Sequence, residues 1–163
     1  GDYTNIKWIG RQTVLTHFSG WRAQPVRIRA GALGDGRPYR DLTVTSDHGM
    51  VIEGLVINAS AMINDTTIDF VPIAELEDEF TVFHVETELH DVIFANGSLT
   101  ETFIDFGSRR AFSNCHEYHE LYGAERIIPE MPLPRITTSR IVPHEIRQRL
   151  GISNNDLADL SVA

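Results

Sequence analysis

Short runs of alternating apolar and polar residues, each closed by Gly, Pro, Asn or Asp, fill the chain from about residue 6 to residue 103. A period of two places successive side chains on opposite faces of a strand, and this punctuation marks the turns between strands. The pattern predicts strands over 6–9, closed by Gly10, over 13–18, closed by Gly20, over 25–29, where Val26 and Ile28 alternate with Arg27 and Arg29, and over 42–45. Residues 50–52 and 55–57 read as a hairpin around Glu53-Gly54, with Gly54 suited to positive φ. Residues 59–63 read as one helical turn, and strands over 67–73, 80–86 and 92–94 follow, the last running into the turn pair Asn96-Gly97. The fold class this predicts is all-β.

Beyond Gly107 the texture changes. Residues 114–122 are polar and aromatic, and residues 129–134 hold three of the seven prolines, which predicts an extended linker. A short helix is expected over 143–150, with Pro143 at its start, Ile146 and Leu150 four apart on one face, and Gly151 after its end. The expected organisation is a β domain over 1–112 and a C-terminal extension over 113–163, an appendage rather than a second core.

Composition narrows the function classes. A chain of 163 residues suits one domain with its own core. No apolar run approaches the ~20 residues that a membrane helix needs, so no membrane role is expected. A formal charge of −9 and a pI near 5.1 oppose general affinity for nucleic acid, which depends on concentrated Lys and Arg. The single cysteine, Cys115, cannot form an internal disulfide, and the compartment stays open. The chain opens at Gly1 without an initiator Met or a charged-then-apolar leader, and the expectation is a trimmed piece of something longer. Gly31, Gly34, Gly36 and Pro38 crowd into one loop, but no Gly-Lys-Ser or Gly-Lys-Thr follows, so a surface connection is expected there rather than a phosphate cradle.

Three groups of residues can carry chemistry. Thr45-Ser46-Asp47-His48 ends a predicted strand just before the hairpin, although taken alone a histidine hydrogen-bonded at a strand end is the favoured explanation. His90-Asp91 starts a later strand, where a surface turn is the plain alternative. Cys115, His116 and His119 have a spacing that can face zinc, yet no second Cys or His pair stands at a matching distance. A nucleophilic Cys115 paired with a histidine is a further option, opposed by its place outside the β pattern. The remaining histidines are His17, His84 and His144.

Four segments occur in a recognisable order: Lys7-Trp8-Ile9-Gly10-Arg11-Gln12, the stretch 25–34, the stretch 41–48 with Thr45 and His48, and the stretch 83–92 with His90 and Asp91. Together they resemble bacterial Hedgehog/intein (Hint) domains over roughly residues 6 to 112. The resemblance implies a horseshoe-like array of short, mostly antiparallel strands and an intramolecular acyl shift. In that reaction a Cys at the domain's first position attacks the preceding carbonyl and replaces a peptide bond with a thioester.

Thr45 and His48 match the family's Thr-x-x-His block, in which the histidine protonates the departing amide nitrogen and the threonine orients or polarises the scissile peptide. His90 matches a later histidine that assists resolution of the thioester, with Asp91 beside it a weaker candidate. The segment carrying the family's nucleophile is expected to be missing from the start of this chain. Thr100-Glu101-Thr102 stands where inteins end in His-Asn, so cleavage rather than full splicing is implied.

The implied substrate partner is the chain's own N-terminal flanking polypeptide, and no cofactor or metal is implied. A non-catalytic Hint fold serving as an interaction module of a secreted or surface bacterial protein stays open as the alternative. Absent opening strands would leave an unpaired sheet edge, and a homodimer through that edge also stays open.

Overall fold

The computed structural model describes residues 3–16, 24–104 and 109–153. Ten strands are described: β1 (Trp8–Leu15), β2 (Val26–Ile28), β3 (Leu42–Val44), β4 (Gly49–Ile52), β5 (Leu55–Asn58), β6 (Ile68–Phe70), β7 (Glu79–Glu86), β8 (Val92–Ala95), β9 (Ser98–Glu101) and β10 (Arg135–Ile136). Two short α-helices follow the strand-rich part, α1 (Cys115–Tyr122) and α2 (His144–Leu150). The all-β architecture expected from the alternation is the one observed.

The strands form three sheets. β1 and β7 make an antiparallel ribbon running from Trp8 opposite Glu86 to Leu15 opposite Glu79. β2 lies between β3 and β6, antiparallel to both. The third sheet has the order β10-β5-β4-β9-β8, and β10 against β5 is the parallel pair in it. The β4–β5 hairpin turns through Glu53 and Gly54, at φ 49° and 77°, and β8–β9 through Asn96 and Gly97, at φ 48° and 82°. Both pairs are left-handed at each central residue, the turn whose twist matches that of antiparallel strands.

Gly10 does not end a strand. β1 runs through it because the position needs a residue without a side chain: a Cβ there would lie 2.8 Å from the Trp8 ring and 2.9 Å from that of Phe112. The strand expected to run on to Phe18 is described as far as Leu15, and residues 17–23 lie outside the described part.

Val26, Ile28, Met50, Ile57, Met62 and Ile68 fill the main core. Residues beyond 112 are not peripheral to it, contrary to the expected boundary. Val142, Ile146, Leu150 and Ile152 are buried in that same cluster. Val56 N–H donates to the Pro134 carbonyl at 2.9 Å, so the stretch read as a linker delivers β10 to the outer edge of β5. The physical reason is that β5 presents both an open edge and an apolar face, and the tail covers the two together.

Helix α1, not foreseen from its polar composition, packs Tyr118 edge-on to Trp8 at 5.3 Å between ring centroids, and Phe112 meets Trp8 at the same distance. Asn114 ties the helix to β1 by accepting from Arg11 N–H at 2.8 Å and donating to the Ile9 carbonyl at 2.9 Å. At the end of β7, buried Glu86 accepts from Arg109 Nε at 3.0 Å and from the Tyr118 hydroxyl at 3.3 Å, which joins the ribbon to α1.

Candidate active site

Between β3, β7 and β9 the sheets leave a cleft of about 420 Å3. Val44, Val82, Ile93 and Phe103 contribute apolar wall, while Thr45, Asp47, His48, His84, Thr100 and Glu101 bring polar groups to it. A mostly apolar concavity with a few convergent polar side chains is the usual form of a reaction site.

Thr45 and His48 reach it on the turn between β3 and β4. His48 N–H donates to the Thr45 carbonyl at 3.1 Å, closing the turn. Ala59 N–H donates to the His48 carbonyl and Ser60 N–H to that of Ser46, each at 2.9 Å, so the 3-10 turn Ala59–Met62 anchors this corner. The Thr-x-x-His turn thus brings both residues to the cleft lining.

The His48 ring is oriented by Thr100. Its Nε2 lies 2.5 Å from Thr100 Oγ1, and the Thr100 hydroxyl donates to the Gly49 carbonyl at 3.0 Å. A hydroxyl has one proton to give. With that proton on Gly49, Nε2–H of His48 is the donor to Thr100, and Nδ1 carries a lone pair with no hydrogen-bond partner among the described residues. Burial lowers the His48 pKa; the Glu101 charge opposes this and His84 adds to it, with the result below the usual 6.5. At neutral pH the ring is a neutral base.

Beneath His48 stands Glu101. One oxygen accepts from Gly49 N–H at 2.6 Å, the other from His90 Nε2 at 3.0 Å, and Arg135 grips both. Burial would raise this carboxyl's pKa, but the hydrogen bonds from His90 and Arg135, the Arg135 charge and the Gly49 amide together bring it down to about 2. Gly49 itself has no room for a side chain, since a Cβ would fall 2.3 Å from Val56 and 2.6 Å from Glu101 Oε1.

His90 and Asp91 do not line the cleft. The His90 ring is fully buried behind Glu101, and its Nδ1 accepts from Met131 N–H at 3.0 Å, so both nitrogens are engaged. Asp91 immediately precedes β8, its N–H donating to Thr102 Oγ1 and its carbonyl accepting from Thr102 N–H, each at 2.9 Å.

His84, Thr100, Glu101 and Arg135 were not among the sequence candidates. His84 had a legible signal, because it stands on the inward face of β7 with Phe80, Val82 and Glu86, a titratable ring in an apolar register. Thr100 and Glu101 carry no local signal in the sequence beyond the absence of an amide, because their roles depend on His48, Gly49 and Arg135, which are distant along the chain. Arg135 arrives from a distant strand.

Among the described residues no group of three or more His, Cys, Asp or Glu is arranged to hold a metal. Cys115, His116 and His119 share α1, where Cys115 packs against the Trp8, Phe112 and Tyr118 cluster and is not part of the cleft wall. No described helix is long and apolar enough to cross a membrane.

A family model described as the Hint domain matches residues 1–107 of the chain. The chain belongs to the Hint family. No curated protein and no solved structure matches it significantly. The matched stretch of this Hint domain holds the cleft walls, whereas Met131 and Arg135, which hold His90 and Glu101, lie beyond it.

Proposed function

We propose that this Hint domain is an autoprocessing module that acts once, on the peptide bond at its own N-terminal boundary. One observation carries the reading: a half-buried His48, held through Nε2 by Thr100, keeps Nδ1 without a hydrogen-bond partner among the described residues in a cleft that Thr45 also lines.

Such a ring suits a proton shuttle. Nδ1 takes the proton of a Cys thiol as the sulfur attacks the carbonyl of the preceding residue, and the C–S bond forms. The lowered pKa makes the imidazolium a stronger acid than a free one, and it gives that proton to the amide nitrogen as the C–N bond breaks. A thioester and a free amine result. Thr45, which lines the same cleft, orients the scissile carbonyl. The reading requires a thiol in residues ahead of Gly1, because Cys115 is not part of the cleft wall. That placement of the single cysteine is also what favours the second reading, a Hint fold kept as a non-catalytic interaction module.

Expression of the chain with the residues encoded ahead of Gly1, followed on gels with and without added thiol, separates the two. Autoprocessing yields two fragments faster with thiol, and His48→Ala slows this by roughly 10²- to 10⁴-fold, the usual weight of a positioned acid–base group. Cleavage by His48→Ala at the wild-type rate overturns the role given to His48. An intact wild-type chain under all conditions overturns the autoprocessing reading.

A further inference from the structure

Among the described residues two imidazoles, His48 and His84, line the cleft, and the acyl shift uses one of them. His84 stands edge-on to Phe103 and Phe112, with ring centroids 6.0 and 5.1 Å away. These rings set its plane without engaging its nitrogens: neither has a hydrogen-bond partner among the described residues, and neither is sealed from solvent. His90 is the opposite case. Its ring is fully buried outside the cleft, and it can accept a proton only by giving up the bond from Met131 N–H.

We propose that His84, not His90, is the general base that resolves the thioester, an assignment that rests on the autoprocessing reading above. A water molecule attacks the thioester carbonyl, a C–O bond forms, and His84 takes the water proton. The C–S bond then breaks, and the departing sulfur takes that proton back as a thiol, leaving a carboxylic acid on the released segment. No oxidant or second reactant is needed. Burial lowers the pKa of His84, with the Asp47 charge opposing it, so the ring is in its proton-accepting form at neutral pH. The two histidines thus divide the reaction, His48 making the thioester and His84 ending it, from two walls of one cleft.

The test separates the steps in the chain expressed with its upstream residues. Hydroxylamine attacks a thioester without help from a base, whereas water needs one. In His84→Gln, which keeps a ring-sized polar side chain against Phe103 and Phe112, the ratio of hydroxylamine-driven to hydrolytic cleavage rises ~10²-fold. An unaltered ratio overturns the assignment, as does equal loss of both cleavages. A raised ratio in His90→Gln but not in His84→Gln returns the role to His90 and overturns it too. A wild-type chain from which hydroxylamine releases nothing overturns the autoprocessing reading and this assignment with it, an outcome distinct from the others because no variant is needed to see it.

Discussion

Glu101 is the residue on which the site's geometry converges. It joins the backbone beside His48, the ring of His90 and the guanidinium of Arg135. Its carboxyl falls from 4.5 to about 2 on folding. A group depressed in this way stabilises the fold fully above its unfolded value, and that contribution disappears as pH falls through the folded value. At full weight the shift is worth about 3 kcal/mol, and about 2 kcal/mol after allowance for screening on the cleft side. The stability gap between wild type and Glu101→Gln, read from urea unfolding, therefore narrows by about 2 kcal/mol between pH 5 and pH 2. His48 acts in the same direction at a higher pH: its folded pKa lies below 6.5, so the unfolded chain binds the proton more readily and stability declines as pH drops below 6.5. Gly49→Ala drives a methyl into Val56 and Glu101, and a loss of about 1–3 kcal/mol is expected in the same assay.

At the level of elements, the β1–β7 ribbon shows how one position can outweigh a pattern. Glycine usually weakens a strand, and Gly10 invites a break between two shorter ones. The Trp8 and Phe112 rings occupy the space its side chain would need, so the strand continues and the aromatic cluster closes over it. Gly10→Val, a better strand former by propensity, is expected to lower the melting temperature rather than raise it. Helix α2 illustrates the reverse, a pattern that was sufficient. Ile146 and Leu150 are both buried as their spacing implied, and Gly151 at φ 68° closes the helix, its N–H bonded to the Arg147 and Gln148 carbonyls. Leu150→Ala removes apolar volume from the main core and is expected to cost about 2–5 kcal/mol, measured by denaturant unfolding.

For the whole molecule, the decisive fact is that the C-terminal part is built into the main core. Residues 131–152 supply a sheet strand, four buried core side chains and the groups that hold His90 and Glu101. A chain ending at residue 112 would expose the edge of β5 and empty part of the core, a loss larger than the whole stability of an ordinary domain. Such a truncation is expected to be unfolded by circular dichroism, in contrast to the full chain.

The Hint relationship, the strand-and-turn pattern, both left-handed hairpin turns and the Thr45 to His48 block were legible in the sequence because each depends on neighbours close along the chain. Side-chain alternation and φ preferences are local properties, and a turn carries its own residues into place. The rest depended on contacts between distant segments. Thr100 orients His48 across 52 positions, Arg135 reaches Glu101 across 34, and Met131 meets His90 across 41. Hydrophobic burial brings such segments together without regard to their order, so a polar residue such as His84 becomes a cleft group only once β7 has turned its inner face toward β3 and β9.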